Sequence, residues 1–201
     1  LKSTKKQDYI YTISVQGHGS YPTSGDYDYP IKVKGVDDEG VKNQYQYYAW
    51  QTNEMDKFIG KLTKRLKKFD EDVILVMYGD HLPSFGLSGE DLVNGDVYQT
   101  QYVIWSNFKN DYYTNEDIEA YRLESKILGG LNMNSGKINN YTQTHKGEDQ
   151  KTYDEGLKSL SYDLLYGDNY ATGGQNPYKA TDLQLGLNKV TVSSVTPLYD
   201  E

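Results

Sequence analysis

Two strand-length apolar runs, each followed closely by glycine and histidine, constrain the fold of this chain most. Residues 73–78 are a continuous apolar run, typical of a strand that is buried on both faces of a parallel sheet. Residues 9–15 form a second run, rich in β-branched and aromatic side chains. Between the two runs, residues 55–69 carry apolar side chains at helical spacing. This order predicts an α/β fold, with a mostly parallel sheet flanked by helices.

The remaining segments predict further strands and helices. Residues 101–105 predict a short strand, residues 115–130 a helix that ends at its two glycines, and residues 157–165 another helix. Residues 131–150 are polar, so we expect an excursion or a mobile loop there. From Tyr178 onward, apolar and polar side chains alternate, which predicts a C-terminal β-rich tail.

Composition and charge exclude several classes of function. The chain contains no cysteine, so it has no disulfide, no thiolate zinc site and no cysteine nucleophile. Its net charge of -8 argues against a general nucleic-acid binder, which needs a basic face. The basic run at residues 61–68 has Leu62 and Leu66 between its charges. We therefore favour the solvated face of an amphipathic helix for this run over a polyanion site.

The chain shows no feature that would place it in a membrane. No apolar run approaches the ~20 residues that span a bilayer, and no signal peptide opens the chain. We expect any membrane anchor to lie outside these residues. The chain begins at Leu1 with a short polar lead into a strong strand, so we expect it to be a fragment of a longer protein.

The histidines are the main candidates for chemistry. His81 directly follows Asp80 after the second apolar run, where a carboxylate and an imidazole can converge on one cation. A helix cap with a surface histidine is an equal alternative on spacing alone. His18 lies between glycines just after the first run, and ligands of open α/β sheets bind at the carboxyl ends of strands. We therefore predict a shared site for His18 and His81, and an ordinary surface position for His145.

No catalytic nucleophile can be assigned within the chain. Four hydroxyl residues are candidates, but none has a Gly-x-Ser-x-Gly elbow or an identifiable base beside it. They are Thr12, Ser14, Ser20 and Ser84. The sequence also contains no Walker loop and no dinucleotide fingerprint.

Several motifs in a fixed order carry a family resemblance. They are Tyr-Ile-Tyr-Thr-Ile-Ser-Val-Gln-Gly-His-Gly-Ser-Tyr at residues 9–21, Val-Ile-Leu-Val-Met-Tyr-Gly-Asp-His-Leu-Pro at 73–83 and Tyr-Val-Ile-Trp-Ser-Asn-Phe at 102–108, continuing at 161–167 and 181–186. This chain resembles the lipoteichoic acid synthases, in the sulfatase-like branch of the alkaline phosphatase superfamily. The resemblance implies an alkaline phosphatase-like fold. It also implies that residues 1–201 are the carboxy-terminal part of a single catalytic domain, whose N-terminal part is absent.

The same resemblance implies a metal-dependent phosphoglycerol transferase of cell-envelope polymer synthesis. In that family one divalent ion, typically Mn²⁺ or Mg²⁺, is held by an upstream acidic residue, by the threonine nucleophile, and by residues that match Asp80 and His81. A substrate-contacting histidine stands where this chain has His18. The threonine and the upstream acid are expected outside this chain, so the fragment alone should be inactive.

The resemblance also implies partners and a location. The expected partners are a glycerol-phosphate lipid donor, a polymer acceptor and the missing N-terminal part of the same protein, at the extracellular face of the cell membrane. Two other functions stay open. One is a sulfate or phosphate ester hydrolase of the same superfamily. The other is a non-catalytic glycan or wall-polymer binding module, which the 21 tyrosines would suit.

Overall fold

The computed structural model describes residues 7–176, which divide into two compact units between Asn110 and Asp111. The first unit contains helix α1 (Glu39–Leu66), strand β1 (Ile74–Tyr78) and strand β2 (Tyr102–Ser106). The second contains helices α2 (Leu123–Gly130), α3 (Lys137–Thr144) and α4 (Gln150–Leu165). Short 3₁₀ turns lie at Gly89–Asp91, Ala120–Arg122 and Tyr170–Thr172. The predicted mixture of helices and strands is confirmed, whereas the predicted tail from Tyr178 lies outside the described residues.

Helix α1 is longer at its amino end than its apolar stripe predicts. It begins at Glu39 because the Asp38 side chain accepts a hydrogen bond from the Val41 N–H at 2.9 Å. The early turns carry aromatic rather than aliphatic side chains, so the stripe at residues 55–69 marks only the second half of the helix. Leu66 is buried and the basic side chains around it are exposed. The basic run therefore forms a solvated helix face, as predicted.

The two strands pair in antiparallel, with Ile74 opposite Ser106 and Tyr78 opposite Tyr102. The prediction of a mostly parallel sheet is therefore wrong for the part of the chain that the structure describes. Parallel neighbours need a crossover, usually a helix. The connection between β1 and β2 contains only the 3₁₀ turn Gly89–Asp91, so β2 returns alongside β1 in the opposite direction.

Residues 9–15 are not a strand, and this prediction is wrong. Their apolar side chains are exposed, from 61% for Ile10 to 88% for Tyr9. The segment lies beside β1, where the hydroxyls of Tyr11 and Tyr78 share a hydrogen bond of 3.2 Å that raises the pKa of Tyr78. A high β-propensity describes side chains that fit a half-buried pleated surface, and no described strand supplies that surface here.

The side chain of Asn107 joins three parts of the first unit. Its Oδ1 accepts a hydrogen bond from the Val73 N–H at 2.8 Å. Its Nδ2 donates to the carbonyl of Leu66 at 3.2 Å and to that of Glu71 at 2.8 Å. One amide thus satisfies backbone groups at the end of α1, in the following loop and just before β1. The start of β1 is held to the end of β2 through this residue.

We predict that Asn107→Ala destabilises the first unit by about 1–3 kcal/mol, since it leaves several partly buried backbone groups without partners. Urea unfolding followed by circular dichroism measures the loss. The matched control is Asn94→Ala, because the Asn94 side chain is exposed and bonds to the exposed side chain of Gln99 and to a neighbouring loop amide. Equal stability of the two variants would contradict the inference that Asn107 holds the start of β1 to the end of β2.

The second unit is built around Tyr153, which is fully buried. Its hydroxyl shares a 2.9 Å hydrogen bond with Thr142 of α3, and the guanidinium of Arg122 lies 3.7 Å from the centre of its ring. The Tyr141 hydroxyl donates to the Tyr153 carbonyl at 3.0 Å. Helix α3 is therefore stabilised by polar contacts with α4, although its sequence lacks an apolar stripe. The expectation of a loop throughout residues 131–150 is wrong for this reason.

The predicted bounds of the two other helices agree with the structure except at the start of α2. Helix α4 covers residues 157–165 as predicted, and α2 ends at Gly130 as its two glycines indicate. However, α2 begins at Leu123, so the predicted start at residue 115 is wrong. Lys126 pairs with Glu116 and donates to the Thr114 carbonyl at 3.1 Å. These contacts hold Thr114 and Glu116 against α2, although neither residue belongs to the helix.

Helix α4 begins with a carboxylate cap that makes its stability depend on pH. The Thr152 hydroxyl and N–H donate to Asp149 and hold the pKa of that carboxyl below its ordinary value. A carboxyl whose pKa is lowered on folding stabilises the fold above the unfolded pKa of about 4 and loses that contribution as the pH falls. The stability difference between wild type and Asp149→Ala should therefore shrink on acidification. Urea midpoints at a series of pH values measure it, and exposed Asp168→Ala is the control.

Candidate functional site

The first part of the site is the turn that follows β1. The Gly79 N–H donates to the Gln101 carbonyl at 3.1 Å, and the Thr100 hydroxyl donates to the Gly79 carbonyl at 2.7 Å. These bonds fix the position at which Asp80 and His81 leave the strand. Thr100 was not found from the sequence, because a lone threonine far along the chain carries no local pattern.

The side chains of Asp80 and His81 approach each other on this turn. Asp80 Oδ1 accepts a hydrogen bond from the His81 N–H at 3.0 Å and lies 3.8 Å from His81 Nε2. His81 Nδ1 lies 2.7 Å from the carbonyl of Leu82, which makes Nδ1 the protonated nitrogen of the neutral ring. Nε2 then keeps its lone pair. The carboxylate and this nitrogen can therefore act on one ion or one phosphoryl group.

His18 lies on a second turn, just beyond residues 9–15. Its N–H donates to the Val15 carbonyl at 3.1 Å, and the turn places Gly17 at φ +83°, a conformation that favours glycine. His18 Nδ1 lies 2.5 Å from the Gly19 carbonyl, so Nε2 is again the free nitrogen. The ring centres of His18 and His81 are 6.2 Å apart. The structure thus brings together the two histidines that the sequence predicts to share a site.

Aromatic packing holds the two turns next to each other. Tyr21 is buried, its hydroxyl donates to the Gly17 carbonyl at 2.9 Å, and its ring centre lies 4.8 Å from that of Phe85. Burial raises the pKa of Tyr21, so the phenol stays protonated and keeps donating. Tyr45 and Tyr48 of α1 pack on Phe85 at 4.5 and 5.4 Å. These rings form the wall of the site on the α1 side.

Among the other sequence candidates, Ser84 lies against the His18 turn, with its Oγ 3.5 Å from where a Cβ on Gly19 would stand. His145 belongs to the second unit, where its ring stacks on Tyr141 at 4.1 Å. This packing leaves the His145 side chain half-buried in the second unit. Ser14 bonds to the Gln16 N–H at 3.1 Å. Within residues 7–176, neither His18 nor His81 has a hydroxyl as a hydrogen-bond partner, so the structure adds no candidate for a nucleophile.

The donor atoms of Asp80 and His81 fit part of a metal site. A carboxylate oxygen and a neutral imidazole nitrogen are suitable ligands for Mn²⁺, Mg²⁺ or Zn²⁺. Such ions take about four to six ligands in proteins. The described part of the chain contains no group of three or more histidine, aspartate or glutamate side chains arranged to hold an ion. A divalent ion here would need ligands beyond these two residues.

A family model decides the assignment of the chain. The model described as Sulfatase matches residues 1–133. The chain belongs to the sulfatase family. The match includes His18, Asp80 and His81, so the whole candidate site lies in the family region. Membership indicates a hydrolase- or transferase-type enzyme, and members of this family typically use a divalent metal. It also suggests an alkaline phosphatase-like fold, as the family resemblance implies.

One relative shares part of this family region. A protein of Rhizobium meliloti (strain 1021), named for the modification of cyclic beta-1,2-glucan, is 28% identical over 115 residues. The alignment covers 49% of this chain and 18% of that protein, so this sulfatase-family chain matches about a fifth of the relative's length. No solved structure matches significantly. Among residues 7–176, no helix combines the length and the apolar character needed to cross a membrane.

We predict that both site histidines are Nδ1–H tautomers when neutral, since each Nδ1 faces a backbone carbonyl. Long-range ¹H–¹⁵N correlation spectra distinguish the two tautomers directly. Addition of a diamagnetic divalent ion such as Zn²⁺ should then shift Nε2 of His81 far more than its Nδ1. An Nε2–H tautomer for His81 would contradict the arrangement in which its free nitrogen faces Asp80.

Proposed function

We propose that this chain is the carboxy-terminal part of the catalytic domain of a metal-dependent phosphoglycerol transferase of cell-envelope polymer synthesis. The observation that carries the proposal is the convergence of Asp80, His81 and His18 at two neighbouring turns, with both free Nε2 atoms available. Sulfatase-family membership supports the reaction class. The lipoteichoic acid synthase-like motifs support transfer of glycerol phosphate in particular.

Asp80 and His81 would hold a divalent ion, Mn²⁺ or Mg²⁺, together with an acidic residue and a threonine nucleophile outside this chain. Bound there, the ion would supply charge stabilisation for the phosphoryl oxygens. Asp80 also accepts the His81 N–H, which keeps its carboxylate oriented towards the imidazole.

His18 would contact the substrate through Nε2, because its Nδ1 is occupied by the Gly19 carbonyl. In its protonated form, Nε2 can donate to a phosphate or glycerol oxygen or protonate a leaving alcohol. In its neutral form, it can accept the proton of an attacking alcohol. The Gly17 turn and Tyr21 keep this ring beside His81 throughout.

The donor in this proposal is a glycerol-phosphate lipid, and the acceptor is an envelope polymer. The name of the Rhizobium meliloti relative supports a glycan as such an acceptor, since a sugar hydroxyl is an alcohol that can take up a phosphoglycerol group. The protein would act at the extracellular face of the membrane, with its anchor outside this chain.

A hydrolase of the same superfamily is the second candidate, and family membership favours it equally. Water would then take the place of the acceptor alcohol. A glycan-binding module without catalysis is the third candidate, supported by the clusters of aromatic rings along α1. The identity of the nucleophile distinguishes the three candidate functions. A threonine favours transfer, and a cysteine or serine favours sulfate ester hydrolysis. The absence of any nucleophile favours binding alone.

The proposal predicts that His81→Ala abolishes glycerol-phosphate transfer in the full-length protein while leaving the fold intact, because an exposed ligand is lost without opening a cavity. We expect His18→Ala to reduce the rate roughly 10²–10⁴-fold, the usual range for a proton-transfer residue. The measurement is glycerol-phosphate release from a lipid donor with Mn²⁺, with and without an acceptor. The matched control, His145→Ala, should keep wild-type activity.

Two outcomes would contradict this function. Full activity of the His81→Ala protein would remove His81 from the site. Release of free glycerol phosphate at the same rate with and without an acceptor alcohol would instead identify a hydrolase. We also expect residues 1–201 alone to show no turnover, and wild-type rates from them would place the nucleophile inside this chain.

A further inference from the structure

A second group of aromatic rings lies on another face of α1, away from the packing that supports the histidines. It consists of Tyr27, Tyr29, Tyr47 and Trp50, which we call the Tyr27–Trp50 surface. Tyr47 and Trp50 are three positions apart on α1 and so share a helix face, with ring centres 6.0 Å apart. Tyr27 lies 5.9 Å from Tyr47, and Tyr29 lies 6.1 Å from Trp50. The four rings therefore form one continuous patch.

The patch has a buried base and an open top. Tyr29 is only 3% exposed and lies beneath the other rings, whereas Tyr27 is 44% exposed and Tyr47 and Trp50 are half-buried. Gly25 lies directly against Tyr27, and a Cβ at this position would meet the Tyr27 ring at 2.1 Å. Glycine at this position leaves room for the Tyr27 ring in the place that it occupies. The exposed rings of Tyr27, Tyr47 and Trp50 therefore lie over a buried tyrosine.

The charges around the patch restrict what it can bind. Asp26 and Asp28 flank Tyr27 and are both exposed, and the neighbouring Lys32 pairs with Asp28 at 3.5 Å. The chain as a whole carries a net charge of -8. These charges form no basic patch beside Tyr27, which an anionic polymer or an anionic lipid headgroup would need. A neutral ligand rich in hydroxyl groups fits, because its apolar faces can cover the rings while its hydroxyls donate to the carboxylates.

We infer that the Tyr27–Trp50 surface binds a neutral glycan. The inference rests on the proposed function in one respect, that the glycan held here is the acceptor for phosphoglycerol. The position of the surface agrees with that use. Tyr47 is followed in α1 by Tyr48, whose ring lies against Gly17 of the His18 turn, where a Cβ would be 3.6 Å away. The same part of α1 therefore contributes to the Tyr27–Trp50 surface and packs on the His18 turn.

Isothermal titration of the full-length protein with a neutral gluco-oligosaccharide tests the inference. Trp50→Ala and Tyr27→Ala should each bind roughly tenfold more weakly or worse, the usual effect of truncating an aromatic anchor. The matched control is Tyr98→Ala, a 91% exposed tyrosine of the same unit that lies in no ring cluster. Tyr27→Ala keeps the test valid if Trp50→Ala fails to fold, because Tyr27 lies on an exposed loop and not on α1.

Three results would overturn the inference. They are no measurable binding by the wild type, wild-type affinity in the Tyr27→Ala protein, and tighter binding of poly(glycerol phosphate) than of the neutral glycan. The glycerol-phosphate transfer assay distinguishes failure of the glycan-binding inference from failure of the proposed function. Glycan binding that depends on Tyr27, in a protein that transfers no glycerol phosphate, would leave the surface in place and refute the transferase. Unchanged transfer to a glycan in Tyr27→Ala would refute the acceptor role.

Discussion

The packing of Tyr21 and Phe85 on α1 is the interaction on which the site depends. Each ring comes from one of the two turns that carry a histidine, and both meet the tyrosines of one helix. Aromatic pairs of this kind contribute about 0.5–1.5 kcal/mol each beyond burial. The packing matters because the His18 turn follows no described strand, so no strand ladder holds it. Without these rings, His18 would have no fixed position relative to His81.

The chemistry of the site follows from how the backbone engages each imidazole. A carbonyl next to each Nδ1 leaves Nε2 free on both rings. In the function that we propose, His81 would bind a cation together with Asp80, and His18 would contact a substrate oxygen. The described residues supply only part of a coordination shell.

The fold shows which sequence patterns depend on distant partners. Helices were predicted where one face is aliphatic, as in the second half of α1 and in α4. Residues 9–15 have the composition of a buried strand, yet they are exposed, because a strand exists only where a neighbour completes its hydrogen bonds. Helix α3 shows the opposite case. Its polar sequence predicts a loop, but hydrogen bonds from Tyr141 and Thr142 to Tyr153 stabilise a helix.

The sequence by itself identified the sulfatase-like superfamily through its ordered motifs. It also gave the candidate residues and their positions just beyond apolar runs, because these depend on residue type and local order. Only the tertiary structure decided that His18 and His81 lie 6.2 Å apart and that Thr100 fixes the Gly79 turn. It also decided that Tyr27 and Trp50 belong to one surface. These relations join residues far apart along the chain, and pairing over such distances depends on packing and hydrogen bonds that no local pattern encodes.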